Sequence, residues 1–335
     1  MMTPLWIWLQ FLISAALIVF AATQLAKFGD VIAIRTGLGG MFVGIVLLAG
    51  ATSLPEVLTT ISSLSQGVPN LAAGNLFGSN MFNMFLLAIL DLLHRKDRIL
   101  RKAALKHALT GSLTVFLIGL VVFFILADIK IQIGWVGADS IVIMLTYVVA
   151  MRLIQANQAQ HTSHPAATAE IPEGTPSLRK GLFGFGLAAL GLVFVTPWMV
   201  RSSAGIAEIT GLGTTFVGTT LVAIVTSLPE MVTTIAAVKI GADDMAIGNL
   251  FGSNLFNMFA IGLTDLFYLQ GRFLGVIDPA FLLVGMLGLL MTGMGLIGNL
   301  ARLERRVLFI ELDALALMVT YFAGLWLLYS RGVAP

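Results

Sequence analysis

The chain has 335 residues, of which 58% are hydrophobic and 11% are charged, and its mean hydropathy is +0.97. Because a soluble domain carries about 25% charged residues, this composition excludes an ordinary soluble protein and predicts one embedded in a bilayer. Cysteine is absent, which excludes disulfides and thiolate metal sites. The four histidines lie in polar segments or at segment edges, so we expect no zinc or copper site within the membrane.

The first predicted element, residues 4–27, is a transmembrane helix rather than a signal peptide. It lacks a basic start, and its apolar run is too long for a cleaved leader. A spanning helix needs about 20 mostly apolar residues, and ten segments meet this requirement. In chain order the predicted spans are 4–27, 37–65, 69–93, 104–126, 132–154, 179–201, 212–239, 244–268, 277–299 and 307–330. We therefore predict an all-α polytopic membrane protein with ten transmembrane helices.

Lysine and arginine predict the orientation of these spans, since cytoplasmic loops are enriched in both residues. If the N-terminus lies outside, 15 of the 19 basic residues fall on the cytoplasmic side. The remaining four then lie outside: Lys130, Arg201, Arg272 and Arg331. We therefore expect both termini outside, and the chain in the plasma (inner) membrane of a prokaryote.

A long polar stretch, residues 155–178, lies between the fifth and sixth predicted spans. It is rich in Ala, Thr, Pro and Gln, which is typical of a flexible linker, and it is too short to form a regulatory domain. It divides the chain into a first five-helix repeat (1–161), a cytoplasmic linker (162–174) and a second five-helix repeat (175–335).

The two halves repeat each other in sequence. "TSLPE" occurs at 52–56 and 226–230, and "GNLFGSN" at 74–80 and 248–254, so both motifs recur after 174 residues. With this shift 36–85 aligns with 210–259 without a gap, and 30 of the 50 pairs are identical. Because each half has an odd number of spans, the second half enters the membrane from the opposite face. Inverted repeats of this kind are typical of secondary transporters, whose site lies near the midplane between the halves.

Each TSLPE motif places a carboxylate beside a proline within an apolar segment. Pro55 lacks a backbone N–H and clashes with the carbonyl of Ala51, which predicts a kink or break in the second span. Thr52 and Ser53 stand four and three residues before Glu56, so their hydroxyls can share a helix face with the carboxylate. Freed carbonyls and carboxylates at membrane depth are tolerable only where they line a cavity or meet a ligand.

The repeated motifs together offer a set of oxygen donors. Calcium takes about six to eight such oxygens in flexible geometry, whereas soft metals prefer nitrogen or sulfur. Sodium is a hard cation that suits the same donors. The predicted donors are Thr52, Ser53, Glu56, Ser79 and Asn83 in the first half, and Thr226, Ser227, Glu230, Ser253 and Asn257 in the second. Four glycines are predicted to let these helices approach closely: Gly74, Gly78, Gly248 and Gly252.

The paired TSLPE and GN-x-x-GSN-x-x-N segments on ten helices resemble the two α-repeats of the cation/calcium antiporter superfamily, nearest its prokaryotic-type sodium/calcium exchangers. The two motifs occupy 49–83 and 223–257, and the resemblance covers nearly the whole chain. It implies that the ten donors bind cations together with the backbone carbonyls of Ala49 and Ala223. It also implies that the first and sixth helices slide over the other eight to alternate access.

The resemblance further implies which partners the protein has. We expect Ca²⁺ and Na⁺ (or H⁺) as transported substrates, the lipid bilayer as surroundings, no cofactor, no nucleic-acid partner, no enzymatic activity and function as a monomer. Many sodium/calcium exchangers carry an aspartate in one repeat where this chain has Asn83 or Asn257. Both positions are Asn here, so the site has two carboxylates rather than three, which leaves the counter-ion and its stoichiometry open.

Each of these residues also has a purely structural interpretation. Glu56 and Glu230 could form a polar pair between helices, but their duplication beside a proline favours a ligand role. Membrane Ser and Thr often bond to backbone carbonyls. Asn75 and Asn249 are interpreted as helix-packing amides, Asp139 and Asp313 as helix caps, and Asp91 and Asp265 as interfacial carboxylates.

The leading functional hypothesis is a secondary active antiporter that exports Ca²⁺ in exchange for Na⁺ by alternating access. A Ca²⁺/H⁺ antiporter is the alternative, because two carboxylates would also permit it. A cation channel needs a continuous pore and fits an inverted repeat less well. An intramembrane enzyme is disfavoured, since no mid-membrane His or Cys and no Ser–Lys or paired-Asp arrangement is apparent in the sequence.

Overall fold

The structure, a computed structural model, describes residues 3–36, 50–93, 104–161, 174–239, 241–301, 306–307 and 310–332. The helices are α1 (Pro4–Thr36), α2 (Leu54–Ser65), α3 (Pro69–Leu93), α4 (Ala104–Ala127), α5 (Ala138–His161), α6 (Leu178–Thr210), α7 (Gly213–Thr226), α8 (Leu228–Lys239), α9 (Asp243–Thr264), α10 (Phe281–Ala301) and α11 (Leu312–Gly332). The strands are β1 (Gln132–Ile133), β2 (Val136–Gly137), β3 (Arg306–Val307) and β4 (Ile310–Glu311), and a 3₁₀ turn covers Phe273–Gly275.

The chain is an integral multi-pass membrane protein. Within the described residues eight helices are long and apolar enough to cross a bilayer, and there are nine if α7 and α8, which are bent by 41°, count as one span. The second predicted span, 37–65, is described only from residue 50 onward. The count of ten therefore stays a prediction.

Two short hairpins replace predicted helix at the start of the fifth and tenth spans. β1 pairs with β2, and β3 pairs with β4, each antiparallel. Helix α5 therefore begins at Ala138 instead of 132, and α11 begins at Leu312 instead of 307. The all-α expectation was wrong at these two points, because apolar residues such as Ile133 continue through the hairpin and a hydropathy window cannot distinguish them from helix.

Helices α3 and α9 form the centre of the protein. Of their spanning segments, 89% and 78% of the residues are buried, compared with 22% in α1 and 33% in α6. The two motif-bearing helices are thus surrounded by protein, while α1 and α6 lie at the periphery.

Helices α1 and α6 pack against each other as an antiparallel pair. A Cβ on Gly184 would lie 2.5 Å from the Phe28 ring, and one on Gly205 would lie 3.2 Å from Ile7. Each helix has 33 residues, about 50 Å at 1.5 Å per residue, which exceeds the roughly 30 Å hydrocarbon core. They are therefore tilted or extend past the membrane surface.

The two halves are interleaved rather than separate. Phe85 on α3 stacks on Tyr321 of α11 with centroids 4.5 Å apart, and Phe259 on α9 stacks on Tyr147 of α5 at 4.6 Å. The second pair is the first shifted by 174 residues, and both pairs cross from one half to the other. The central helices of each half are therefore supported by outer helices of the other half.

Candidate functional site: a buried oxygen cage between the halves

The two TSLPE motifs break their helices at the serine. Ser53 precedes α2 with φ −89° and ψ 5°, and Ser227 lies between α7 and α8 with φ −88° and ψ 1°. Proline follows two residues later in each motif, so its missing N–H and its ring account for the break. The predicted kink is confirmed, and it places the hydroxyl and the following carboxylate at the point where the helix is interrupted.

The serine of each half holds the glutamate of the other half. Ser53 Oγ donates to Glu230 Oε1 at 3.1 Å, and Ser227 Oγ donates to Glu56 Oε1 at 3.2 Å. Both glutamates are 1% exposed, and both serines are fully buried. The sequence predicts that Ser53 shares a face with its own Glu56, but the hydroxyl contacts the other carboxylate. The two carboxylates are thereby brought to one locus between the halves.

A second set of crossed contacts involves the asparagines. Asn83 Nδ2 donates to Asn254 Oδ1 at 2.9 Å, and Asn257 Nδ2 donates to Asn80 Oδ1 at 3.0 Å. All four side chains are at most 1% exposed. Asn80 and Asn254 are absent from the predicted donor set, although both lie in the repeated GNLFGSN sequence, which is the signal that could have identified them.

Five buried oxygens at predicted donor positions have no hydrogen-bond partner among the described residues. They are Glu56 Oε2, Glu230 Oε2, Asn83 Oδ1, Asn257 Oδ1 and Ser253 Oγ. Carboxylate and amide oxygens are acceptors only, and a buried acceptor without a partner costs about 1–3 kcal/mol, more if it is charged. Four of the five are two pairs related by the 174-residue shift. This donor set fits a hard cation.

The threonines and first asparagines of the motifs bridge neighbouring helices. Thr226 Oγ1 donates to Asn75 Oδ1 at 2.8 Å, while Asn75 Nδ2 donates to the Glu56 carbonyl at 2.9 Å. Asn249 Nδ2 donates to the hydroxyls of Thr233 and Thr234, both at 3.1 Å. These contacts agree with the interpretation of the two asparagines as packing amides. They also occupy the proton of Thr226, so its oxygen lone pairs are left for a cation.

The backbone of α7 comes close to Ser79. Residues Gly218–Val222 form a π-helical turn, and a Cβ on Gly78 would lie 2.3 Å from the Thr219 carbonyl. The predicted close approach is thus confirmed for Gly78, and likewise for Gly74, whose Cβ would lie 2.8 Å from the Thr219 nitrogen. The Ala223 carbonyl keeps its helical bond from the Ser227 N–H at 3.1 Å, and Ser79 Oγ lies 3.5 Å from it.

Part of the mirror-image site falls on residues that are not described. Ala49, the counterpart of Ala223, lies within 37–49, outside the described residues. The segment that would correspond to the π-helical turn lies there too, so the roles predicted for Gly248 and Gly252 stay predictions. Thr52 is fully buried and makes an interaction of its own.

The aspartates near the helix ends hold loops. Asp265 was expected at the interface but is fully buried, and its carboxylate accepts from Gly137 N at 2.6 Å and Phe273 N at 2.5 Å. Its counterpart Asp91 is 5% exposed, and its carboxylate lies within 4.8 Å of those of Glu311 and Asp313. The contacts of Asp265 with Gly137 and Phe273 join the segments 128–137 and 265–275. These two segments therefore lie on one side of the membrane, as the predicted topology requires.

The predicted helix caps bond to their neighbouring backbone. Asp139 Oδ1 accepts from the Ser140 N–H, and Asp313 Oδ1 accepts from the Ala314 N–H, each at 2.9 Å. Each aspartate is the second residue of its helix, so its charge suits the helix dipole, although a contact with the next N–H is not that of an N-cap.

The chain is similar to proteins of one family over nearly its whole length. The family model described as sodium/calcium exchanger protein matches residues 6–154 and 180–330. A putative antiporter, CaxA, from Alkalimonas amylolytica is 27% identical over 263 residues, which is 75% of this chain and 77% of that protein. The sodium/calcium exchanger MaX1 from Methanosarcina acetivorans is 27% identical over 297 residues, which is 77% of this chain and 82% of that protein.

Solved structures with the same fold include members of two kinds of exchanger. The match to the H⁺/Ca²⁺ exchanger CAX has a TM-score of 0.70 at 12% identity, and it spans 98% of this chain and 85% of the CAX chain. The match to the sodium-calcium exchanger NCX_Mj has a TM-score of 0.58 at 20% identity, and it spans 96% of this chain and 98% of the NCX_Mj chain. At such identities the likeness concerns the fold alone. With the family model matched in both halves, the chain belongs to the sodium/calcium exchanger protein family.

Proposed function

We propose that this protein is a secondary active antiporter that exports Ca²⁺ in exchange for Na⁺ by alternating access. The observation that carries the proposal is the crossed pair of buried glutamates, each held through one oxygen by the other half and each with its second oxygen unpartnered among the described residues. Two buried carboxylates at membrane depth are costly unless they are neutralised. One Ca²⁺ neutralises them, and so do two Na⁺ or two H⁺.

The amide oxygens favour sodium over protons as the counter-ion. Asn83 Oδ1 and Asn257 Oδ1 are buried acceptors without a partner among the described residues. A metal cation can contact both amide oxygens directly, whereas a proton on a glutamate satisfies an amide oxygen only if that carboxyl donates its O–H to it. Sodium and calcium are both hard cations that prefer such oxygens, so the same cage can serve both ions in turn.

Calcium/proton exchange is the second candidate, and the two-carboxylate site is the observation that favours it. The absence of a third carboxylate at Asn83 or Asn257 means that two protons would discharge the site completely. A channel is less well supported. Glu56 and Glu230 are each 1% exposed, whereas a conducting pore would wet its charged ligands. The predicted donors all come from one chain, which supports function as a monomer, and we propose the plasma membrane of a prokaryote as its location.

The test of this proposal is calcium uptake by proteoliposomes under two opposing gradients. Purified protein is reconstituted into vesicles loaded with Na⁺, or into vesicles with an acidic interior, and radioactive Ca²⁺ is added outside. We expect uptake driven by the outward Na⁺ gradient and abolished by a sodium ionophore. Uptake that follows the outward proton gradient instead would establish the second candidate, and no uptake under either gradient would contradict both.

A further inference from the structure

Two asparagines outside the predicted donor set, Asn80 and Asn254, join the halves next to the candidate cation site. Asn254 Oδ1 accepts from Asn83 Nδ2, and Asn80 Oδ1 accepts from Asn257 Nδ2. Asn254 Nδ2 also donates to the backbone carbonyl of Asn80 at 3.1 Å. Each acceptor lies on the central helix of the half opposite to its donor, α3 or α9.

The bond to the backbone determines which way the amides face. A carbonyl oxygen can only accept, so Asn254 must present its Nδ2 to Asn80 and its Oδ1 to Asn83. Asn83 must then donate its own Nδ2, which turns its Oδ1 away from Asn254. That Oδ1 is the buried oxygen without a partner among the described residues. Asn257 donates likewise to Asn80 Oδ1, but this amide is held by that one bond, because Asn80 Nδ2 has no acceptor among the described residues.

The orientation matters because an asparagine has two unlike ends. Its oxygen binds a cation, but its NH₂ group presents hydrogens and repels one. A half-turn of the terminal torsion exchanges the two ends, and nothing in the asparagine itself selects the oxygen. An aspartate has no such requirement, since both of its terminal atoms are oxygens.

We propose that Asn80 and Asn254 are positioning residues that hold the amides of Asn257 and Asn83, respectively, with their oxygens toward the transported cation. This inference rests on the proposed function, because it assumes that Asn83 and Asn257 are cation ligands. It deepens that function by explaining how a site with amides in place of a third carboxylate keeps its oxygens aimed at a cation.

The first test removes the positioning residue Asn254, first in the wild type and then in a variant in which Asn83 is replaced by aspartate. An aspartate has an oxygen at both ends, so it needs no positioning residue. Asn254→Ala raises the KM for Ca²⁺ in proteoliposome uptake by roughly tenfold, the effect of one buried group losing its partner, while kcat changes little. In an Asn83→Asp background the same substitution changes KM by about threefold or less, since either carboxylate oxygen can face the ion. In an Asn257→Asp background it still costs roughly tenfold.

The reciprocal set controls for the added negative charge. Asn80→Ala raises KM, and the effect disappears in the Asn257→Asp background and persists in the Asn83→Asp background. Asn80→Ala removes the side chain of residue 80 but keeps its backbone carbonyl, to which Asn254 donates. The two positions are therefore tested separately. Rescue by both aspartates alike, or by neither, overturns the proposal, because a role in packing alone does not depend on which ligand is exchanged.

A second measurement tests the amide pairs without transport. In detergent free of Ca²⁺ and Na⁺, the fall in Tm of Asn83→Ala with Asn254→Ala is expected to be smaller than the sum of the two single falls. For Ser202→Ala with Asn254→Ala the falls should add, because Ser202 is buried on α6 and, among the described residues, bonds only carbonyls of its own helix. A wild-type protein that takes up no Ca²⁺ would contradict the proposed function and leave this coupling to decide, and additive falls for the first pair would overturn the positioning role.

Discussion

Ser53 of the first half donates a hydrogen bond to Glu230 of the second at 3.1 Å, and Ser227 of the second half donates one to Glu56 of the first at 3.2 Å. Neither carboxylate is therefore complete within its own half. Because each motif must fit both its own helix and the opposite carboxylate, the two copies of TSLPE are constrained together. This reciprocity gives a physical reason for the identity between 36–85 and 210–259 being concentrated in these motifs.

Removing one serine hydroxyl should weaken Ca²⁺ binding by the glutamate of the opposite half. We expect Ser53→Ala to raise the KM for Ca²⁺ by roughly tenfold or more, the usual effect of losing a hydrogen bond to a charged group, and Ser227→Ala to do the same. Ser63→Ala is the matched control on α2, since Ser63 is equally buried but bonds the Thr59 carbonyl of its own helix. Initial rates of Ca²⁺ uptake check this, and equal KM values for Ser53→Ala and Ser63→Ala would contradict the crossed contact.

The contact between α3 and the π-helical turn should not tolerate a side chain at Gly78. An added Cβ would lie 2.3 Å from the Thr219 carbonyl and 2.7 Å from the Ala223 Cβ, and overpacking of this kind costs about 1–3 kcal/mol or more. We expect Gly78→Ala to lower the Tm in detergent and to abolish uptake. Gly293→Ala on α10 is the control, because its Cβ would meet no other part of the described structure within 4 Å. A Gly78→Ala protein as stable as this control would contradict the packing.

Membrane orientation can be measured with single cysteines, because the chain has none of its own. The 15-to-4 distribution of basic residues predicts Lys130 outside and the 162–174 linker in the cytoplasm. In intact cells an impermeant maleimide should label Lys130→Cys, whose parent side chain is 83% exposed, and should not label Ala166→Cys. The reverse pattern would invert the topology, while the pairing of loops described above would stand.

The sequence predicts the repeat, the helix breaks and the two buried carboxylates between the halves, because a carboxylate beside proline in an apolar segment is visible without a structure. It does not predict the partner of each donor. Ser53 is adjacent to Glu56 in sequence but bonds Glu230, since that contact depends on how the halves cross. The contacts of Asn80 with Asn257 and of Asn254 with Asn83 were missed for the same reason.

The lengths of α1 and α6 were underestimated because hydropathy marks the membrane and not the helix. Helix α6 continues past Arg201 and ends only at Gly211, whose φ of 72° stops it. The hairpins before α5 and α11 were missed because a strand of two residues leaves no periodic signal.

Exchange should be electroneutral, or much less electrogenic than in relatives with a third site carboxylate. Three Na⁺ would leave the two-glutamate site with net charge +1, which is expensive to carry through a low-dielectric cavity. Uptake measured against a clamped potassium diffusion potential should therefore respond weakly to voltage. A steep response, with three Na⁺ moved per Ca²⁺, would contradict this prediction while leaving the fold and the site in place.

Restoring a third carboxylate should increase the dependence on sodium. We expect Asn257→Asp to raise both sodium dependence and voltage sensitivity, because the added charge accommodates another cation. Asn80 can turn to meet this aspartate, since its Nδ2 has no acceptor among the described residues. The Na⁺ dependence of uptake in Asn257→Asp and wild-type vesicles checks this, and identical curves would argue against residue 257 as a ligand.

Calcium uptake by the two glutamate variants tests the central claim most directly. Sodium-loaded proteoliposomes hold the wild-type protein, Glu56→Gln, Glu230→Gln or the control Glu208→Gln, whose side chain is exposed on α6. The account predicts that Glu56→Gln and Glu230→Gln each abolish uptake while their Tm in Ca²⁺-free detergent is unchanged or higher, because an uncompensated buried charge has been removed. Glu208→Gln should take up Ca²⁺ like the wild type. Uptake at the wild-type rate by either Glu56→Gln or Glu230→Gln would contradict the assignment of the crossed glutamates as the cation site.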